Sequence, residues 1–169
     1  LAAMGMQNAQ LKFEIHPASS FLANGKDQLT LLFSANLGSP YQPLKKVASG
    51  GELSRIMLAI KAILAQYQHL PTIIFDEIDT GVSGNISNEI AIIMAAMATR
   101  MQVFTITHLP QVAAKGKQQF KVYKTDVAGQ TQTLLKTLSK EERVIEIAQM
   151  LSGDELTQTA KDHAVKLLN

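Results

Sequence analysis

Two adjacent carboxylates, Asp76 and Glu77, follow directly on the apolar run Thr72-Ile73-Ile74-Phe75 and precede a turn that carries Gly81 and Gly84. Four β-branched or aromatic residues after Pro71 predict a short strand buried on both faces, with the proline at its start. The acids then fall at the carboxyl end of that strand, where open α/β sheets place their ligands. There the pair can divide labour. Asp76 can hold a hard cation such as Mg²⁺, with water and phosphate oxygens completing the shell. Glu77 can polarise a water for attack on phosphorus.

A third group joins them through chain order. From Ser83 or Gly84 to Thr99, Ile86, Ile90, Ile93, Met94 and Met97 recur at helical spacing, the methionines as core filler. A second strand-like run, 101–107, ends at His108, before Leu109-Pro110. Strand, helix and strand in this order imply a right-handed crossover to a parallel neighbour. Asp76, Glu77 and His108 then leave the sheet at one edge, where the imidazole can contact a transferred phosphate or sense its loss. His16, His69 and His163 have no such company, and His163 lies on an apolar stripe that predicts packing.

A second constellation lies upstream. Val47-Ala48-Ser49-Gly50-Gly51-Glu52-Leu53-Ser54-Arg55 opens an amphipathic helix on which Leu53, Ile56, Met57, Ile60, Ile63, Leu64 and Tyr67 recur every three or four residues. Ser49 and Glu52 have the spacing of a capping box. The same helix start exposes backbone donors and a positive dipole end, so it can also receive a phosphate. Cap and anion site can coexist.

Other chemistries are excluded by spacing. An EF-hand loop from Asp76 would put Gly81 correctly at its sixth position but Ile78 at the third and Ser87 at the twelfth. Gly81-Val82-Ser83-Gly84-Asn85 lacks the closing glycine of a nucleophile elbow. No G-x-x-x-x-G-K-[ST] occurs, so a nucleotide here would need a phosphate cradle from elsewhere.

The elements that must position these groups fit one domain of 169 residues without a cysteine. A formal charge of +2 predicts no polyanion partner by itself. Apolar stretches such as 90–98 are too short to span a membrane, so the chain reads as soluble, with a reducing cytosol as the default. It begins at Leu1 rather than methionine, as a piece of a longer protein would. Residues 1–10 read as a lead-in, 11–16 and 28–35 as strands about an Asn24-Gly25 turn, and 38–43 as a loop. After a helical turn at 111–114, Lys115, Lys117, Lys121 and Lys124 thread an edge strand, where lysines guard against stray pairing. Ala128-Gly129 turns into a partner strand at 132–138. Ser139 and Glu142 then cap a helix with Val144, Ile147, Ala148 and Leu151 on one face, ending at Ser152-Gly153. A last helix carries Leu156, Ala160, His163, Ala164 and Leu167.

In series, four of these stretches resemble the carboxyl-terminal lobe of an ABC-type ATPase head of the SMC-related kind. Ala48 to Arg55 is similar to the signature motif, Ile73 to Glu77 to Walker B, Asp79-Thr80-Gly81-Val82-Ser83-Gly84 to the D-loop region, and Thr107-His108 to the switch histidine. The resemblance runs from the loop at Asn36-Leu37-Gly38 to the final helices. It implies an α/β fold, the carboxyl-terminal lobe of an ABC/SMC-type P-loop ATPase head, with a mainly parallel core sheet flanked by helices and a terminal hairpin. It also implies ATP and Mg²⁺: Asp76 organises the metal, Glu77 is the catalytic carboxylate and His108 contacts the γ-phosphate. Ser49, Gly50, Gly51 and Glu52 bind nucleotide, Ser49 and Gly51 touching the γ-phosphate held by the opposite subunit, and Thr80, Gly81 and Ser83 join from the D-loop region. One departure is Ser83, where transporters of this class close the D-loop with aspartate.

The Walker A lysine and Q-loop glutamine belong, in that family, to an amino-terminal lobe beyond a long coiled coil. Residues 1–10 are then the stub of the returning coil and 11–169 the head lobe. The expected partners are that amino-terminal lobe, a second copy of the head, and DNA through the full-length protein, in the cytoplasm and at the nucleoid, with no membrane. The implied function is half of an ATPase head that works by head-to-head dimerisation in DNA double-strand break repair and recombination, inactive when alone. Two rivals stand beside it: a self-contained metal-dependent phosphohydrolase using Asp76, Glu77 and Asp79, and a non-catalytic DNA- or protein-binding module using the lysines between Lys115 and Lys124.

Overall fold

A computed structural model describes residues 1–47, 49–67, 70–79, 81–82, 84–127, 129–153 and 155–169, without the side chains of Lys45 and Val47. Ala48, His69, Thr80, Ser83 and Ala128 therefore lie outside the described residues. The chain divides into two compact units, Leu1–Gln68 with Ile78–Glu89, and His69–Glu77 with Ile90–Asn169.

In the first unit, alternating apolar and polar residues build a hairpin of β1 (Gln10–Leu22) and β2 (Gly25–Ser34). Leu22 opposes Gly25, whose φ of 119° closes the tight turn at Ala23-Asn24. β1 is longer than alternation alone predicts. It runs through Pro17, and a register shift between Pro17 and Leu22 absorbs the residue that cannot donate to the ladder. β3 (Gln42–Pro43) adds to β2, so part of the expected loop is paired. α1 (Leu44–Val47) and α2 (Gly50–Tyr67) follow. Met6, Phe33 and Ile56 form the core, with Leu11, Leu44 and Ile60 packed against it.

The outer arc of α2 corrects the periodicity reading. Ile56 and Leu58 are buried, whereas Leu53, Met57, Ile63 and Tyr67 stay exposed. At 3.6 residues per turn Leu58 lies about 200° round the helix from Ile56, so α2 is buried from two sides rather than along one stripe.

Residues 1–10 are folded into this unit rather than trailing from it. A 3-10 turn at Ala2–Met4 ends at Gly5, and Met4 and Met6 are both buried. Gly5 has φ 76°, and a Cβ placed there would meet the Ile86 Cδ1 methyl at 2.5 Å. Gly5→Ala is therefore expected to cost about 1–3 kcal/mol in denaturant titrations. Adding Ile86→Val, which deletes that methyl, should recover the steric share but not the share due to positive φ.

In the second unit β4 (Thr72–Asp76) pairs in parallel with β5 (Gln102–Ile106), from Thr72 opposite Gln102 to Asp76 opposite Ile106. The crossover runs through α3 (Asn85–Met97), which begins in the first unit and buries Ile90, Met94 and Met97. Thr105 donates its hydroxyl to the Met94 sulfur at 3.2 Å, tying β5 to that helix. The expectation of a strand buried on both faces fails. Phe75 is buried, but Ile74 is 66% exposed, and Ile106 on the neighbouring strand is 56% exposed. A continuous apolar run announces that both faces need cover without saying what supplies it, and among the described residues β4 pairs only with β5.

α4 (Pro110–Lys115), β6 (Phe120–Val127), β7 (Gln130–Thr137), α5 (Lys140–Ser152) and α6 (Gln158–Leu168) complete this unit. Ala114, Ile147, Ala148, Ala160 and Ala164 form its helical core. His163 is exposed, not packed as its apolar stripe suggested, because the neighbouring Ala164 takes the inward position. The expected capping box is present: Glu142 N–H donates to Ser139 Oγ at 3.2 Å, and Ser139 N–H to the Glu142 carboxylate at 2.9 Å.

Lys121 lies opposite Lys136 in the hairpin, an unfavourable like-charge pair that α5 resolves. Lys121 pairs with Glu146 and Lys136 with Glu142. The Lys136 ammonium, then the Ser139 N–H, holds the Glu142 carboxyl below its ordinary range. The fold class is thus α/β, with one parallel strand pair, an antiparallel sheet in the first unit and an antiparallel hairpin in the second among the described residues.

Candidate functional site

The second unit carries Asp76, Glu77 and His108. Asp76 is the last residue of β4 and is exposed. Glu77 follows, also exposed, with its N–H donating to Ile106 O at 3.1 Å as the final rung of the parallel ladder. Its φ is 46°, the only positive value at a non-glycine among the described residues. Such a backbone is strained for glutamate and persists where surrounding structure enforces it, often at functional sites. It also takes the Glu77 side chain out of the strand's alternation.

His108 leaves the same end of the sheet, two residues beyond Ile106, and is exposed. Leu109 N–H donates to Thr107 Oγ1 at 3.0 Å, and Pro110 then starts α4 where its missing N–H costs nothing. Parallel pairing thus brings all three groups to one edge, as chain order predicted.

The first unit carries the other constellation. Glu52 N–H donates to Ser49 Oγ at 3.4 Å, while Ser49 N–H and Oγ each donate to Glu52 Oε2 at 3.2 Å, a looser box than that of Ser139. Ser49 and Gly50 are exposed and Gly51 and Glu52 half-buried. A Cβ at Gly50 would meet nothing within 4 Å, so the first turn of this 18-residue helix is open to an approaching anion. Cap and open approach occur together.

Of the D-loop-like residues, Thr80 and Ser83 fall outside the described residues. Gly81 and Gly84 have φ of 72° and 60° with open space at Cβ, and Val82 is buried, its N–H donating to Asp79 O at 3.2 Å. Asp79 is 1% exposed. Sequence carried no signal for that burial, since an aspartate three residues past a strand ordinarily reads as solvated.

Among the described residues no group of three or more histidine, cysteine or acidic side chains could hold a metal by itself. A lone exposed carboxylate at Asp76 suits Mg²⁺, which takes one or two carboxylates and completes its shell from water and phosphate. No helix among the described residues is long and apolar enough to cross a membrane.

No protein-family model matches the chain. Individual relatives do. DNA repair protein RecN of Halalkalibacterium halodurans is 42% identical over 173 aligned positions, covering 100% of this chain and 31% of the relative. RecN of Bacillus subtilis is 49% identical over 144 positions, covering 85% of this chain and 25% of the relative. Along its length the chain matches RecN proteins. It spans about a third or less of the RecN relatives it matches. Among solved structures, the Smc head of Pyrococcus yayanosii with its coiled coil and joint superposes with a TM-score of 0.63 at 15% identity, covering 89% of this chain and 27% of that one. A chain from SMC ATPases described for ATP-driven dimerization and DNA-stimulated activation gives 0.57 at 17%, covering 91% and 87%. At these identities the likeness establishes fold: this chain is built like part of an SMC-type head.

Proposed function

We propose that this chain is the carboxyl-terminal lobe of an ATPase head in a RecN protein that acts in repair and recombination at DNA double-strand breaks. The observation that supports this most is the convergence of Asp76, Glu77 and His108 at one end of a parallel strand pair in a chain of SMC-head fold. Asp76 holds Mg²⁺, which when bound neutralises charge on the phosphate oxygens of ATP. Glu77 accepts the proton of the attacking water, and His108 donates to the γ-phosphate. Ser49, Gly50, Gly51 and Glu52 present a helix start to nucleotide bound by a second copy of the head, and Thr80, Gly81 and Ser83 contribute to nucleotide binding. The Walker A lysine comes from an amino-terminal lobe of the same protein, and residues 1–10 lead in from a coiled-coil arm to the lobe at 11–169. DNA is engaged by the full-length protein, in the cytoplasm at the nucleoid.

Both rivals lose ground. The likeness to RecN proteins and to SMC heads does not favour the self-contained metal site. The pairing of Lys121 with Glu146 removes one cation from the basic stretch. Incubated alone with Mg²⁺ and ATP, these 169 residues are expected to release essentially no phosphate. Robust turnover by the isolated chain, abolished by Glu77→Gln, would overturn the half-site and restore the phosphohydrolase.

A further inference from the structure

His108 is followed almost at once by α4, a helix of six residues, too short to hold a fixed place by its own hydrogen bonds. Its amino-terminal end begins at Pro110, two residues from the imidazole. Its carboxyl-terminal end is gripped by one side chain of α5. The Arg143 guanidinium donates through Nη2 to Gly116 O at 2.6 Å and Ala114 O at 3.4 Å, through Nη1 to Lys117 O at 3.4 Å, and through Nε to Gln119 Oε1 at 3.1 Å. Gln119 in turn donates its amide to Ala113 O at 2.6 Å. Of these acceptors Ala114 O belongs to the last turn of α4, where a helix leaves carbonyls unsatisfied, and a cation there also complements the helix dipole. Pro110, Val112 and Ala114 are buried, and Ala114 joins Ile147 and Ala148 of α5 in one cluster. So α4 is packed against α5 and α6, and its far end is clipped by α5.

We infer that Arg143 is a positioning residue for His108, acting through α4 and the Leu109-Pro110 corner rather than by touching nucleotide. The inference rests on the reading of His108 as a γ-phosphate contact. A planar fork is well matched to this end of α4, because one rigid group reaches four acceptors at different angles, which a lysine ammonium cannot do. Small displacements of a positioned group cost turnover far more than they cost binding.

A double-mutant cycle in the full-length protein tests this. Arg143→Ala is expected to lower kcat about tenfold with less than about a twofold change in KM for ATP. In a His108→Ala background the same substitution should lower kcat no further, because its effect passes through the missing imidazole. Equal losses in both backgrounds, or no loss in either, would overturn the proposal while leaving His108 its role. Wild-type kcat in His108→Ala alone would overturn the underlying reading and the proposal with it. If Arg143→Ala does not fold, Arg143→Lys keeps the stem and charge and carries the same cycle. Its expected loss is about threefold, again absent without His108.

Discussion

Glu77→Gln in the full-length protein is expected to lower ATP turnover by about a hundredfold to ten-thousandfold while ATP binding persists. Glutamine keeps the length, the half of the carboxylate that accepts hydrogen bonds, and the Glu77 N–H bond to Ile106 O. It removes the negative charge and with it the capacity to take a proton. Neither residue is comfortable at φ 46°, so the backbone strain is common to both and cancels in the comparison. Steady-state phosphate release set against equilibrium titration with a fluorescent ATP analogue separates the two effects. Loss of binding equal to the loss of turnover would remove Glu77 from the role of base.

The second large effect is a rescue. Ser49→Asp retains a good helix cap but sets a negative charge where a phosphate would approach the first turn of α2, so a protein carrying it should be inactive. Glu77→Gln is inactive for a different reason. If each working site takes its acids from one head and its helix start from another, a mixture of the two inactive proteins regains activity, since a mixed dimer retains one intact site. With random exchange and independent sites the recovery is about a quarter of wild-type turnover per head. Phosphate release measured across mixing ratios should peak at equal amounts. A flat line at zero would mean that Ser49 and Glu77 serve the same nucleotide from the same chain.

The parallel pair, its crossover helix and both capping boxes were legible because each rests on local pattern: a β-branched run, a three-and-four spacing, a serine three residues before a glutamate. What escaped depends on partners distant in sequence. Ile74 reads as core in a run of apolar residues, yet lies open because no pattern within β4 tells which face is covered. α2 shows one apolar arc in sequence, but Leu58 is buried on the far side by structure that the helix itself does not encode. Met4 and Met6 sit in a segment too short and aperiodic to signal burial. The lysine stretch reads as edge protection alone until register places Lys121 across from Lys136 and α5 supplies a glutamate to each. Glu77's positive φ has no sequence signature at all, because glutamate is a poor choice there on backbone grounds alone.

The open side of the parallel pair has a practical consequence. Ile74, Phe104 and Ile106 form an exposed apolar surface on strands whose outer edges are unpaired among the described residues. Such a surface is an invitation to stacking and edge-to-edge growth, and at the concentrations used in purification it makes self-association the competitor of folding. The remedy lies at Thr72 and Gln102, which share that outward side and already bond to each other at 3.1 Å. Charge placed at those two positions would keep the isolated chain dispersed without touching its core.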